Sequence, residues 1–108
     1  MGIKGDKASE LSAQAAELII EKLDSLGPIR SKKMFGGHGI FHDGQMFAMI
    51  NSDGETSFKY DESNEAALLK AGGTAHAKMP YISITEKTIA NFDLLLKLAD
   101  DAIDVSKK

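Results

Sequence analysis

Two histidines four residues apart, His38 and His42, are the side chains whose type and spacing come closest to a metal-binding pattern. On a helix, this H-x-x-x-H spacing would place both imidazole rings on one face, one turn apart. On a strand the two residues lie about 13 Å apart, which is too far for two ligands of one tetrahedral ion. The chain has no cysteine, and its third histidine, His76, is isolated in the sequence. We therefore predict no metal site and no cofactor.

The segment Gly36-Gly37-His38-Gly39 is rich enough in glycine to suggest a phosphate-binding loop. Such loops lead from a strand into a helix, whose free N–H groups hold the anion. Here the flanking residues predict strands on both sides, and neither the G-x-x-x-x-G-K-[ST] nor the G-x-G-x-x-G spacing is present. The sequence also lacks a G-x-S-x-G arrangement that would activate a serine. We therefore predict turns and close packing at these glycines, and a protein that is not an enzyme. An unrecognised enzyme is the third hypothesis for function, after protein–protein contact and nucleic-acid contact.

A small basic cluster, Arg30, Lys32 and Lys33, suggests nucleic acid as an alternative ligand. The chain as a whole has 13 basic and 16 acidic residues, with a formal net charge of −3 at pH 7. Proteins that bind the phosphate backbone commonly have a basic excess or a clear basic stripe. A solvated strand face accounts for a cluster of this size as well. Direct contact with nucleic acid through these three residues is therefore the alternative hypothesis for function.

The element that precedes these residues is predicted as a helix over residues 8–26, which Gly27 and Pro28 end. Its apolar positions recur at helical spacing and share one face. They are Leu11, Ala15, Ile19, Leu23 and Leu26. After Pro28 the pattern changes to short apolar runs separated by turn residues. Strands are predicted at residues 29–35, 38–42, 45–50 and 56–60.

The second half of the chain returns to helical patterns. A short helix is predicted over residues 61–71, and an extended segment over 74–84 follows. Thr85 is expected to cap one helical turn, and Asn91 to cap or kink the final helix. The final helix has an apolar stripe of Leu95, Leu98, Ala102 and Val105. Because the strands follow one another through tight turns, the sequence predicts an α+β fold: a two-layer sandwich with an antiparallel meander sheet and helices packed on one face.

The Asp43-Gly44 pair indicates a two-residue hairpin turn, because a type I′ turn needs positive φ at both central positions. That turn pairs Ile40 with Phe47 and Gly39 with Ala48, and side chains alternate between the two faces of the sheet. The face predicted to lie against the helices carries Gly37, Gly39, Phe41, Met46, Ala48 and Ile50. The other face carries His38, Ile40, His42, Gln45, Phe47 and Met49.

The second of these faces is predicted to be open and to bind a partner, since large apolar side chains on an uncovered face mark an interface. The predicted partner-binding residues are Ile40, Phe47 and Met49, with His38 and His42 at the rim. The alternative is that loops or the 74–84 segment cover them.

The stretch MFGGHGIFHDGQMFAMI, followed by SDGETSFKYDE and later by AKMPYISI before a leucine-rich C-terminal helix, resembles the N-terminal domain of the TfoX (Sxy) competence regulators. The motifs that carry the resemblance are Met34 to Gly37, Asp43-Gly44, Phe47 to Ile50, Phe58-Lys59 and Met79-Pro80-Tyr81. The resemblance covers residues 9–105, which are expected to form a single domain. Residues 1–8 are expected to be a flexible N-terminus and residues 106–108 a frayed C-terminus.

The resemblance implies a two-layer α+β domain with a regulatory role and no catalytic residues to transfer. Full-length members of the family act as co-activators of competence genes with the cAMP receptor protein, and they carry a second, C-terminal helical domain. This sequence ends before such a domain, so a stand-alone version is expected. We predict a non-enzymatic regulatory domain of bacterial transcription that acts by protein–protein contact, with a transcription factor or a second copy of itself as the partner. No apolar run approaches the ~20 residues that span a bilayer, so we expect no membrane contact and a cytoplasmic location.

Overall fold

In the computed structural model, the backbone is described for residues 4–34 and 36–108, and side-chain environments for residues 10–34 and 36–108. The helices are α1 (Lys4–Lys22), α2 (Glu65–Lys70), α3 (Glu86–Ala90) and α4 (Phe92–Ser106), with a 3₁₀ turn at Asp24–Leu26 after α1. The strands are β1 (Ile29–Met34), β2 (Gly37–His42), β3 (Gln45–Ile50), β4 (Thr56–Lys59) and β5 (Tyr81–Ser83). The expectations for residues 1–3, part of the predicted flexible N-terminus, and for Phe35 lie outside the described residues.

Within the described residues, five strands form one sheet in the order β1-β2-β3-β4-β5, and each strand is antiparallel to its neighbour. Helix α1 packs on β2, and α4 packs on β3 and β4. Buried apolar side chains from both layers form one core between them. The predicted α+β fold, with a meander sheet and helices on one face, is therefore confirmed.

Helix α1 turns a slightly different face toward the sheet from the one that the apolar spacing predicted. Ser12, Ala16, Ile19 and Leu23 are buried, whereas Leu11 is 45% exposed. The buried positions recur at intervals of three and four residues, as one face of a helix requires. The prediction is therefore wrong for Leu11, and the polar Ser12 takes its place against the sheet.

Thr85 and Asn91 begin the last two helices, as predicted. Each side-chain oxygen accepts a hydrogen bond from an N–H group of the first helical turn, at 3.2 and 3.3 Å respectively. These bonds satisfy N–H groups that have no partner within the helix. The predicted apolar stripe of α4 is buried throughout. The helix continues to Ser106, whose hydroxyl donates to the carbonyl of Ile103 at 2.6 Å, so Ser106, predicted as part of the frayed C-terminus, is the last residue of α4.

The hairpin of β2 and β3 has the predicted turn but not the predicted register. Asp43 and Gly44 have φ angles of +51° and +81°, as a type I′ turn requires. Beyond the first two pairs, Ile40 pairs with Ala48 instead of Phe47. Phe47 is therefore the extra residue of a β-bulge, which the sequence pattern did not reveal.

The predicted assignment of the two faces of the hairpin is wrong for β2 and for Met46 and Phe47, whereas Ala48 and Ile50 lie against the helices and Met49 lies on the open face, as predicted. Ile40, Phe47 and Ile50 are almost completely buried in the core beneath the helices. Gly39 and Phe41 lie on the face that points away from the helices, because side chains alternate along β2. The prediction placed the glycines against the helices to allow close approach. The bulge at Phe47 instead places Ile40 opposite Ala48, so that both lie on the helix-covered face with Ile50.

Candidate binding surface

Four of the five residues predicted to bind a partner lie on the helix-covered side of the sheet. Ile40 and Phe47 are 0% exposed, and the ring centroid of Phe47 lies 6.2 Å from that of Phe58 in the core. In the folded protein, neither side chain can contact a partner. Met49, which pairs with Ser57 and Gly39, is the one predicted residue that lies on the opposite face. The contact surface predicted from these residues is therefore misplaced, and the inverted faces are the reason.

The two remaining predicted residues, His38 and His42, connect the sheet to the helical layer. The hydroxyl of Ser12 on α1 lies 2.8 Å from Nδ1 of the half-buried His38. Nε2 of the buried His42 donates to the carbonyl of Leu26 at 3.0 Å, which fastens the 3₁₀ turn to β2. Both contacts are between elements that are distant in the sequence. The two imidazoles therefore connect the sheet to the helical layer and do not form the rim of an exposed surface.

The arrangement of Ser12 and His38 resembles the nucleophile and base of a hydrolase, but burial argues against that role. Ser12 is 0% exposed, so a substrate cannot reach its hydroxyl. Elsewhere in the described part of the chain, no three His, Asp or Glu residues converge in a way that would hold a metal ion.

An apolar cluster lies on the face of the sheet that the helices leave uncovered. Met34, Phe41 and Met46 converge above Gly39, where an added Cβ atom would lie 2.8 Å from Met34 Sδ, 3.1 Å from Phe41 Cε1 and 2.7 Å from Met46 Sδ. The three side chains are half-buried, and none belongs to the core beneath the helices. Their Sδ and ring atoms therefore lie close to one another above Gly39. We call these three residues, together with Met49 beside them, the open-face cluster.

The predicted basic cluster is divided between the two faces of the sheet. Arg30 pairs with Phe41 and Lys32 pairs with Gly39, so both cations share the face of the open-face cluster. Lys33 pairs with His38 and lies on the other face. All three side chains are exposed. The alternative nucleic-acid site therefore retains two neighbouring cations on one face instead of three.

A groove of about 610 Å³ runs along β1 and β2 at this side of the sheet. Its volume lies within the 300–1,000 Å³ range of small-ligand and side-chain pockets. Its lining combines two cations with apolar surface and one carboxylate: Pro28, Arg30, Ser31, Lys32, Phe41, Asp43 and Gly44. We call this feature the β1 groove. Its chemistry suits a ligand that is both apolar and anionic.

Sequence reasoning missed Met34, Phe41 and Met46 as surface residues. A signal was present in β1, where Arg30, Lys32 and Met34 alternate with other residues and so share one face. Two charged residues on that face argue that it meets water rather than a core. If β1 had been paired with β2 through the turn at Gly36, Phe41 would have been assigned to the same water-facing side of the sheet.

Comparison with known protein families gives one match that covers most of the chain. A family model described as the TfoX N-terminal domain matches residues 21–106. The matched region includes all five strands, the 3₁₀ turn, and helices α2, α3 and α4. A comparison with curated proteins finds no match. Of the helices in the described part of the chain, none is both long and apolar enough to cross a membrane.

Proposed function

Since this chain belongs to the TfoX N-terminal domain family, we propose that it is a non-enzymatic regulatory domain of bacterial transcription that contacts another protein through the open face of its sheet. Membership of this family supports the regulatory role that we propose. The open-face cluster supports the mode of action.

The open-face cluster is the observation that carries the proposal. A two-layer sandwich leaves one sheet face in water, and that face is usually polar. Here Met34, Phe41, Met46 and Met49 concentrate apolar surface on it. Apolar patches on such faces mark interaction sites, and methionine adapts its flexible, polarisable side chain to different partners.

Direct nucleic-acid contact is the second candidate, and the exposure of Arg30 and Lys32 on the same face favours it. Two cations would neutralise few phosphates, and the net charge of −3 opposes a polyanion at long range. The neighbouring methionines offer no hydrogen bonds to phosphate. A protein surface with both apolar and acidic groups matches the face better.

Photocrosslinking in living cells tests the proposal directly. Benzoylphenylalanine in place of Phe41 puts the crosslinker in the open-face cluster and keeps an aromatic ring there. The matched control is Phe92, a 48% exposed aromatic residue at the start of α4 in the helical layer. We expect a discrete protein adduct from position 41, none from position 92, and loss of the adduct in a Met46→Glu variant.

A transcript comparison links that contact to regulation. In a strain that lacks the gene, wild-type protein should restore the altered transcripts, whereas Met46→Glu should not. A control substitution on the helical surface, Glu17→Lys, should restore them fully. Equal adducts from both positions, or full restoration by Met46→Glu, would contradict the proposal. An adduct twice the mass of the chain would identify a second copy as the partner.

A further inference from the structure

We infer that the partner binds as an extended acidic segment, which adds to β1 as a sixth strand and places carboxylates beside Arg30 and Lys32. This inference rests on the proposed function, because it specifies the partner of the same face. It concerns a peptide chain of defined chemistry: two acidic residues at alternate positions, with an apolar residue at the next alternate position on one side of them.

The free edge of β1 is the first observation that supports strand addition. β1 is the terminal strand of the sheet, and residues 30–33 are exposed. Outside its pairing with β2, no backbone hydrogen bond of the described chain involves residues 29–34. In an antiparallel ladder every second residue directs its N–H and C=O groups away from its partner. β1 therefore presents a row of free backbone donors and acceptors, which an extended peptide can pair with.

The opposite edge of the sheet, at β5, is already occupied by the chain itself. Ala75 forms a bridge with Ile82, and Ser83 N donates to the carbonyl of Thr74 at 2.9 Å. The N–H group of His76 also donates to the carbonyl of Tyr81, at 2.7 Å. Residues 74–76 thus take the place of an added strand there. Of the two edges, β1 is the one left for a partner.

The side chains of β1 determine what that strand must carry. Arg30, Lys32 and Met34 share the open face at alternate positions, so the two cations lie roughly 7 Å apart. Within the described residues, neither cation forms an ion pair. A strand added at this edge places every second side chain about 5 Å from its cross-strand neighbour. Two carboxylates at alternate positions would meet the cations, and an apolar residue at the next such position would meet Met34.

The β1 groove supplies an apolar wall for the same ligand. Pro28 and Phe41 line it beside both cations. Carboxylates that approach here keep hydrogen bonds to Arg30 and Lys32 while their methylene groups pack on the ring. The sugar–phosphate backbone of a nucleic acid offers phosphates but no N–H donors for the free carbonyls of β1. The strand edge therefore favours a peptide over a phosphodiester backbone.

The test uses a synthetic octapeptide, Thr-Glu-Thr-Glu-Thr-Val-Thr-Gly with blocked ends, titrated into the ¹⁵N-labelled full chain. Because its carboxylates and its apolar residue alternate, it can present all three on one face. A reversed-order peptide covers the other strand direction. We expect saturable shifts of the β1 amide signals by at least one of the two. Replacing both Glu residues by Lys should weaken binding at least tenfold, and N-methylation of alternate backbone amides should do the same.

Protein variants give the matched comparison. Arg30→Glu should weaken binding of the acidic peptide at least tenfold, whereas Lys87→Glu, an equal charge change on the exposed surface of α3, should alter it less than twofold. If the N-methylated peptide binds as well as the parent peptide, strand addition is wrong. If the lysine peptide binds as well as the parent peptide, charge matching is wrong. Tighter binding of a 20-base-pair duplex, with steep salt dependence, would favour nucleic acid and overturn the inference.

The outcome separates this inference from the proposed function. An adduct from position 41 in cells, combined with no binding of either acidic peptide, would leave the proposed function in place and reject strand addition. Peptide binding at β1 without any cellular adduct from position 41 would support the acidic-strand site and contradict a partner on the open-face cluster.

Discussion

At the scale of single residues, the glycines on either side of His38 meet different neighbours. A Cβ atom at position 37 would lie 2.0 Å from the backbone carbonyl oxygen of Ile50, which cannot move without distorting β3. A Cβ atom at position 39 would meet the far ends of Met34 and Met46, which are flexible side chains. Gly37 is therefore required by the fold, whereas Gly39 is required by the open-face cluster.

This difference predicts separate outcomes for two identical substitutions. Gly37→Ala should lower the free energy of unfolding by about 3 kcal/mol, the upper range for overpacking. Gly39→Ala should cost about 1 kcal/mol, because the methionine ends can shift and alanine is less costly than glycine in a strand. Gly39→Ala should nevertheless reduce the adduct from position 41, since it spreads the cluster. Urea denaturation measures both costs, and equal costs would contradict the assignment.

At the scale of elements, Asp61 joins the turn before α2 to the C-terminal end of α4. Its carboxylate accepts hydrogen bonds from the hydroxyl and N–H groups of Ser63, and Lys108 Nζ lies 2.9 Å from Oδ2. The Ser63 hydroxyl first, and Lys108 second, hold the pKa of Asp61 at about 2 instead of 3.8. Residues 107 and 108 are thus tied to the rest of the fold through their side chains, since Lys107 also pairs with Asp43 at 3.5 Å.

The lowered pKa of Asp61 gives a pH prediction with a definite sign. Because the folded state holds the carboxylate charged, the stabilisation is fully present above the unfolded pKa of 3.8 and is lost as pH falls toward 2. The Asp61 carboxyl carbon should therefore titrate near pH 2 by NMR, and at a higher pH in Ser63→Ala, which removes the hydroxyl donor. Ser52→Ala, in a separate turn, should leave the titration unchanged. A titration midpoint near pH 3.8 in the wild-type protein would contradict the contacts of Asp61 with Ser63 and Lys108.

At the scale of the whole molecule, the charge on β1 opposes self-association through the same edge. The radius of gyration is 13.1 Å, as expected for a single compact domain of about 100 residues. Two copies that paired β1 with β1 would bring Arg30, Lys32 and Lys33 of both chains together. Like charges directly opposite each other in a ladder are destabilising, and lysines on edge strands discourage such pairing.

We therefore expect a monomer of 11.6 kDa at concentrations up to about 100 μM. Light scattering after size-exclusion chromatography measures the mass. A Lys32→Thr, Lys33→Thr double variant should associate more readily than the wild type, because it removes the repulsion and raises β propensity. A wild-type dimer would contradict this prediction.

Much of the fold follows from short stretches of the sequence. Asp43-Gly44 specifies its turn because few residues adopt positive φ, and Thr85 and Asn91 specify helix starts through their own first turns. The stripe of α4 was predicted because it repeats within one helix. The bulge at Phe47 was not, since the turn sets the pairs next to it and an extra residue can be inserted farther along the strand.

The candidate surface depended on information that the local pattern does not hold. Both faces of the hairpin contain large apolar residues, so periodicity alone did not distinguish core from surface. Ser12 on α1 reaches His38, 26 positions away, and α4 packs on β3 and β4 from the far end of the chain.

By itself, the sequence determined most of the elements, the antiparallel meander and the family, because turns, caps and helix stripes act over three to seven residues. The strand β5 lay inside a segment, 74–84, that was predicted only as extended. Only the tertiary structure decided which face of the sheet meets water. That choice is made where α1 and α4 bury Ile40, Phe47 and Ile50, and it leaves Met34, Phe41 and Met46 beside Arg30 and Lys32 on the outside.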